Sequence, residues 1–202
     1  MQELSVLILG SGPNVLESRA WSNHPFDKIV AINNAWAVRE DWDDLIYPYD
    51  FPKERRPTCV QAHQRFVTEE DFVPIQNDYG GFLYAGGTMA FTAGYWALGH
   101  YKPAHIAFLG CDMHYPKTAK THFYGKGEAD PLRKDISLQS LEAKANRLYV
   151  HAAKEGCQLT NLSIGPSRLT FPRMTVEKSL PDPLKVDNQT VFCAQEREAE
   201  LN

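Results

Sequence analysis

The chain has few cysteines and no long hydrophobic run. Of its 202 residues four are cysteines, and no two of them form a CxxC pair. Zinc sites and disulfide frameworks need closely spaced cysteines, so we expect neither and read the thiols as reduced. No segment approaches the roughly eighteen apolar residues of a transmembrane helix. The first residues also lack the basic and apolar stretches of a signal peptide, and we therefore expect a cytoplasmic protein.

An excess of basic residues is also missing. Lys and Arg number 21 against 25 Asp and Glu, which gives a net charge of -4. Nucleic-acid binders usually carry a basic face, so we do not expect a nucleic-acid partner. Hydrophobic residues make up 43% of the chain, enough for a sizeable core. We expect one domain over residues 1–172 and a tail over residues 173–202, where the pattern fades.

Apolar runs and helical patterns alternate along the chain. The runs predict strands at residues 4–9, 28–32, 45–47, 106–109 and 158–162, with a short one at 58–60. Helical spacing predicts a helix over 88–98, closed by Gly99, and another that begins at Ser137 and ends at Gly156. We expect residues 61–85 to be an irregular connection. The alternation indicates an α/β fold with a doubly wound, mostly parallel, Rossmann-like sheet.

A glycine-rich loop follows the first predicted strand. It consists of Gly10, Ser11, Gly12, Pro13 and Asn14, and Pro13 or Asn14 begins a short helix. Glycines let a backbone approach a phosphate, and a helix start offers unpaired N–H groups. The loop has neither the GxGxxG pattern nor a Walker lysine. Nucleotide contact and an ordinary strand-to-helix turn are both open at this point.

Two further turns are candidate nucleotide contacts. Asn33 and Asn34 end the second predicted strand, where an amide can bind a phosphate, a ribose or a base. The alternative is a turn that asparagine fills because it tolerates left-handed geometry. Gly86, Gly87 and Thr88 open the helix over 88–98 with bare backbone donors. Their alternative is close packing of that helix on the sheet.

Groups with acid–base chemistry follow the strand at 106–109. His122 is the best candidate for a general base, because histidine titrates near neutral pH. Asp112 can orient a partner, bind a hydroxyl or cap a turn. Asp112 and His114 form an Asp-x-His pair that, with His122, is a candidate metal site, although the spacing matches no familiar metal motif. Tyr115 adds a phenol at the same place.

A third polar loop contains Ser163 and Ser167 after the last predicted strand. The carboxyl ends of parallel strands meet at one edge of a sheet, and open α/β sheets bind ligands there. We therefore expect the glycine loop, the asparagines, the helix start, His122 and this serine loop to converge on one cleft.

The order of these motifs resembles the bacterial sialyltransferases of glycosyltransferase family 42. Those enzymes have a G-x-GPS loop after the first strand, which Gly10–Asn14 resembles, and an asparagine at the next strand end, like Asn33. Their Ala-rich helix follows an S-G turn and leads to a strand ending in G-I-D-F-Y, where this chain has G-C-D-M-H. Their S-H-Y-x-G segment is similar to residues 121–125 here. The resemblance covers residues 5–170 and implies a single-domain, glycosyltransferase-A-like variant of the fold.

The resemblance implies roles for the candidate residues. His122 would deprotonate the acceptor hydroxyl, and Tyr115 would stabilise the departing phosphate of a CMP-sialic-acid donor. Five residues would hold the nucleotide: Gly12, Asn33, Gly87, Ser163 and Ser167. No metal or other cofactor is expected, because the family relies on tyrosine hydroxyls and backbone donors.

Other functions remain open. The sequence is also similar to the archaeal 6-hydroxymethylpterin pyrophosphokinase-like proteins (the domain-of-unknown-function 115 group), which implies a magnesium-dependent phosphotransferase with Asp50, Asp112 and His114 near the metal. A non-catalytic nucleotide- or sugar-binding module is the third hypothesis. Three tryptophans either pack internally or contact another copy of the chain in a homo-oligomer: Trp21, Trp36 and Trp42.

Overall fold

The computed structural model describes residues 3–115, 121–125 and 140–176. Its sheet has six strands, β1 (Ser5–Leu9), β2 (Lys28–Ile32), β3 (Asp44–Ile46), β4 (Arg65–Val67), β5 (His105–Leu109) and β6 (Gln158–Asn161). All of them run parallel, in the order β4-β3-β2-β1-β5-β6. The predicted α/β fold class is confirmed.

Helices cover both faces of the sheet. The α-helices are α1 (Glu69–Asp78), α2 (Phe82–Ala85), α3 (Met89–Tyr101) and α4 (Leu141–Lys154), and short 3-10 helices span Pro13–Ala20, Asn33–Ala37 and Lys53–Arg55. One buried cluster joins the α-helices to one face, and a second lies on the other face with the first two 3-10 helices. The four apolar residues that end β1 are fully buried because both faces are covered.

The strand order reverses beside β1. β1 pairs with β2 on one side and with β5 on the other, although β5 comes much later in the chain. In an open α/β sheet such a switch point leaves a crevice between the loops that follow the two strands. The loops after Leu9 and after Leu109 therefore border this crevice.

Two predictions between β3 and α3 are wrong. Residues 58–60 form no strand, and the fourth strand is Arg65–Val67 instead. Residues 61–85 are not irregular, because β4, α1 and α2 lie in them. α1 begins with a capping box, in which the Thr68 backbone N–H donates to Asp71 Oδ2 at 2.9 Å. Pro74 lies inside α1 and does not end it.

The ends of two helices differ from the sequence-based boundaries. α3 starts after Thr88, but it continues past Gly99 to Tyr101 and ends where Lys102 adopts a left-handed conformation with φ 48°. The N-cap of α4 is Ser140, and Ser137 lies outside the described residues. Gly156 follows the C-cap of α4 with φ 76°, as predicted for a glycine at that position.

The start of the predicted tail runs along β6. The Asn161 backbone N–H donates to Pro172 O at 2.8 Å, and the Met174 N–H donates to Asn161 O at 3.1 Å. The domain boundary at residue 172 stays a prediction, because residues 177–202 lie outside the described part of the chain. No helix within the described ranges is long and apolar enough to cross a membrane.

Candidate functional site

A cleft of about 880 Å³ lies at the carboxyl ends of the strands. Eleven of the predicted site residues line it: Gly10, Ser11, Gly12, Pro13, Asn14, Asn33, Gly87, Thr88, Asp112, Tyr115 and His122. Four do not: Asn34, Gly86, Ser163 and Ser167. The predicted convergence of loops at one edge therefore holds for most of the set.

The glycines of the loop after β1 let that loop pack closely against the loop after β5. A Cβ on Gly10 would lie 2.3 Å from the carbonyl oxygen of Gly110, and a Cβ on Gly12 would lie 2.8 Å from the same oxygen. The Gly12 N–H donates to that carbonyl at 2.7 Å. Gly110 itself has φ 73° and would meet Val15 if it carried a side chain. The two loops of the switch point can cross this closely only with glycine at these positions.

This crossing limits which backbone donors face the cleft. The N–H groups of Gly10 and Gly12 already donate to Leu109 O and Gly110 O, and Pro13 has no N–H. Ser11 and Asn14 are left as the loop residues whose N–H groups have no acceptor within the described ranges. An anion at this loop would therefore bind to these two groups.

Three side chains from three loops form a hydrogen-bonded group beside the cleft. Asn14 Nδ2 donates to Asp112 Oδ2 at 3.0 Å and to Ser163 Oγ at 2.6 Å, and Ser163 Oγ donates to Asp112 Oδ2 at 2.7 Å. Ser163 is only 2% exposed. Both contacts to Asp112 use Oδ2, and Oδ1 of Asp112 is buried without a partner among the described residues. A buried carboxylate oxygen without a donor is costly, so it marks a place for a ligand N–H or O–H.

Asn33 presents a second oxygen of this kind. Its Oδ1 is also buried without a hydrogen-bond partner in the described part of the chain. Its backbone adopts the left-handed region with φ 52°, which asparagine tolerates better than most residues. Asn34 is half-buried and lies outside the cleft. The turn therefore supplies one oriented amide to the cleft.

The start of α3 forms another wall. Thr88 is the N-cap, and its Oγ1 accepts a hydrogen bond from the Phe91 N–H at 3.4 Å. The same hydroxyl lies 3.6 Å from Met113 Sδ, which joins this helix start to the loop after β5. Gly86 is buried behind the wall, where a Cβ would lie 2.7 Å from Phe82 O. The anion-binding end of α3 therefore opens on the cleft through Gly87 and Thr88.

His122 lies in a tight turn that is bound to the glycine loop. The Phe123 N–H donates to Ser11 O at 2.9 Å, which fixes the turn against the loop after β1. The His122 ring lies 5.9 Å from the Tyr115 ring and 5.0 Å from the Tyr124 ring, centre to centre. Burial lowers the pKa of His122 below its usual 6.5. The imidazole is therefore neutral near pH 7 and able to accept a proton.

A hydrogen bond decides which imidazole nitrogen is basic. His122 Nδ1 lies 2.9 Å from Thr121 Oγ1. If Nδ1 carries the hydrogen and donates to this hydroxyl, Nε2 is the nitrogen with a lone pair. Thr121 also lines the cleft. The pair is therefore suited to hold the histidine in the tautomer that a base at Nε2 requires.

Metal-binding groups are not clustered in the described ranges. Asp50 and His114 line the cleft with Asp112, but no group of three or more His, Cys, Asp or Glu side chains there is close enough to hold an ion.

Ser167 lies behind the cleft, where its Oγ accepts from Asn161 Nδ2 at 3.0 Å. It orders the loop after β6 instead of facing the cleft.

The sequence predicted the start of α3 at the cleft but not the wall that α1 and α2 form beside it. α1, α2 and α3 contribute Phe72, Gln76, Phe82, Met89 and Thr92 to the cleft. Gln76 is 2% exposed and Thr92 is 4% exposed, so both are polar side chains within the packed helical layer. The capping box at Thr68 could have revealed α1, but no sequence pattern indicates that Gln76 faces the cleft.

Of the two alternatives for the three tryptophans, the structure shows packing inside the chain. Trp42 is 2% exposed, and Trp21 and Trp36 pack partly buried against the same core cluster. These side chains therefore serve packing within the chain. The homo-oligomer stays a prediction.

Two solved structures are similar to the chain over nearly its whole length. One is the sialyltransferase CstII from Campylobacter jejuni in complex with a substrate analogue, CMP-3FNeuAc, with a TM-score of 0.51, 12% identity and coverage of 96% of this chain and 99% of that chain. The other is a single-residue variant of Cst-II in complex with CMP, with a TM-score of 0.50, 10% identity and coverage of 96% and 98%.

Sequence comparisons found no relative, since neither a family model nor a curated protein matches the chain. At 10–12% identity the structural likeness shows the fold and not the activity. Nothing in the comparisons supports the pyrophosphokinase-like resemblance, which stays a prediction. The chain has a distant sialyltransferase-like fold.

Proposed function

We propose that the chain is a glycosyltransferase that uses a nucleotide-sugar donor of the CMP-sialic-acid type. The observation that carries the proposal is the cleft at the β1/β5 switch point. An imidazole and a helix start meet there with two buried oxygens that have no partner among the described residues. Nucleotides commonly bind at such a position. The two similar structures, solved with CMP and with CMP-3FNeuAc, support this donor class.

The residues would divide the work as follows. Asp112 Oδ1 and Asn33 Oδ1 would accept hydrogen bonds from the nucleoside. The backbone N–H groups of Ser11 and Asn14 and the start of α3 at Thr88 would bind the phosphate. His122 would take the proton of the acceptor hydroxyl as its oxygen attacks the anomeric carbon. The bond from that carbon to the phosphate oxygen would break, and the nucleotide would leave with the electron pair. Tyr115 would donate a hydrogen bond to the departing phosphate.

The test is the His122→Ala variant in a transfer and donor-hydrolysis assay with CMP-sialic acid. Loss of a general base typically lowers kcat about 10²- to 10⁴-fold while the donor still binds. His63→Ala is the matched control, because His63 is exposed and outside the cleft. Equal activity of the His122→Ala variant and the control would reject the assigned base.

The pH dependence gives an independent check. Burial lowers the pKa of His122 below 6.5, and the neutral form is the base. Activity should therefore persist at pH 6.5 and fall only as the pH drops through the lowered pKa. A rate that is already half lost at pH 6.5 would contradict the environment assigned to this histidine.

A further inference from the structure

The wall formed by α1, α2 and α3 holds two buried polar side chains, Gln76 and Thr92, in a mostly apolar setting. Gln76 lines the cleft beside Phe72, Phe82, Met89 and Ala90, and it is 2% exposed. An amide in such a place is expected to be fully hydrogen-bonded. Its partners therefore show whether it serves packing alone.

The Gln76 amide is held in one orientation. Its Nε2 donates to Ala85 O at 3.1 Å and to Thr92 Oγ1 at 3.0 Å. A carbonyl can only accept, so the amide nitrogen must face Ala85, and a flipped amide would set two acceptors against each other. Oε1 takes no hydrogen bond from any described residue. The oxygen is therefore the polar atom left for a ligand.

The position of α3 separates Gln76 from the nucleoside contacts. At the start of α3, Thr88 Oγ1 lies 3.6 Å from Met113 Sδ, next to Asp112. One turn later, Thr92 contacts Gln76. The loop with Asp112 therefore lies by the start of α3, and Gln76 lies by the next turn, in a different part of the cleft. With the nucleoside at Asp112 and the phosphate at the start of α3, the transferred sugar is the part of the donor left for the wall that holds Gln76.

We propose that Gln76 is a specificity-determining residue that reads a hydrogen-bond donor on the transferred sugar. This inference rests on the proposed function. Gln76 Oε1 would accept a hydrogen bond from one N–H or O–H of the sugar, while Phe72, Met89 and Ala90 would pack against an apolar edge of the same sugar. A deoxy or acylamino sugar has such an apolar edge. A fully hydroxylated hexose would bury further hydroxyls without partners, which a site of this kind rejects.

The test is calorimetric titration of CMP and of CMP-3FNeuAc into the wild type and the Gln76→Met variant. Methionine keeps the volume and removes the amide. We expect the affinity for CMP-3FNeuAc to fall about tenfold or more, with the affinity for CMP unchanged within about twofold. Gln64→Met is the matched control, because Gln64 Nε2 also donates to backbone carbonyls, of Glu40 and Trp42, but outside the cleft.

The outcomes separate the two proposals. Equal losses for both ligands, or no loss for either, would overturn the role of Gln76 while leaving nucleotide binding intact. A wild type that binds neither ligand would reject the proposed function and this inference with it. Should Gln76→Met unfold, Gln76→Asn keeps an amide but withdraws the oxygen by one bond, and the same selective loss is expected from it.

Discussion

The two ends of the sheet differ in whether their buried polar oxygens have hydrogen-bond partners. At the amino ends of β3 and β4, Asp44 is 1% exposed, accepts from Arg65 Nε at one oxygen and from the Tyr101 hydroxyl at the other. At the carboxyl ends of β2 and β5, Asn33 and Asp112 each keep a buried oxygen without a partner among the described residues. The amino end is built for stability and the carboxyl end for a ligand.

Positive φ angles occur at both ends of the sheet but in different settings. Before β5 and β6, Lys102 and Gly156 have positive φ where α3 and α4 end. At the carboxyl end, Asn33, Gly110 and Met113 have positive φ just after strands, and all three line the cleft. The crossing of Gly10 over Gly110 brings two loops close enough to share that cleft.

The largest expected effect lies at the amino end. Asp44→Ala removes the acceptor of both Arg65 and Tyr101, and we expect a loss of about 2–3 kcal/mol in the free energy of unfolding. Arg65 is partly exposed, so the loss stays below that of a fully buried ion pair. Chemical denaturation measures it, with Glu142→Ala, at the more exposed ion pair with Arg168, as the control. Weakened CMP binding in folded Asp44→Ala protein would break the division between the two ends.

The next effect lies at the carboxyl end. Asp112→Asn keeps the shape but replaces an oxygen that should accept from the nucleoside, and we expect CMP affinity to fall about ten- to thirtyfold. Stability should change little, because the Oδ2 contacts with Asn14 and Ser163 can be kept. Calorimetry and a melting curve on the same sample test both halves. A large drop in melting temperature with unchanged affinity would make Asp112 a structural residue.

A smaller effect is expected from Asn14→Ala. The Asn14 side chain acts on the ligand through Asp112, because its amide Nδ2 donates to Asp112 Oδ2 at 3.0 Å. Its loss should weaken CMP binding about three- to tenfold through a less fixed carboxylate. Asn14→Ser tests rescue, since a hydroxyl can donate but is shorter. Equal affinity for all three proteins would remove Asn14 from the account of the site.

The smallest effect concerns pH at the amino end. Burial, and then the charge of Arg65, lowers the pKa of His100 below 6.5. The contribution of neutral His100 to stability is present above pH 6.5 and is lost as the pH falls through its lowered pKa. The melting temperature of the wild type should therefore fall more on acidification than that of His100→Gln. Parallel curves would show that His100 is not linked to folding.

Strands with both faces buried could be predicted because continuous apolar runs mark them. β4 was missed because it is a short edge strand in which only Val67 is buried. α1 was missed because Pro74 and the two glycines after it suggested a loop, whereas the capping box at Thr68 overcomes that signal. Local patterns therefore located five of the six strands, including the edge strand β6, but not the edge strand β4.

The sequence predicted which loops meet at the site, because the strand ends place them, but not the contacts within it. The loops converge as expected, yet the partner of Asn14 is Asp112, 98 positions away, and no local pattern encodes that contact. Phosphate contact and an ordinary turn were both open for the glycines, and Gly10 and Gly12 pack closely against Gly110, while their contact with a phosphate stays a prediction. Side-chain direction and the helical wall with Gln76 depend on tertiary packing, which a single sequence does not reveal.

A crystal structure of the protein soaked with CMP tests the central claim most directly. We expect the nucleotide in the cleft, with a ligand donor about 3 Å from Asp112 Oδ1 and another about 3 Å from Asn33 Oδ1. Nucleotide bound elsewhere, or bound in the cleft with both oxygens still unpaired, would contradict the account.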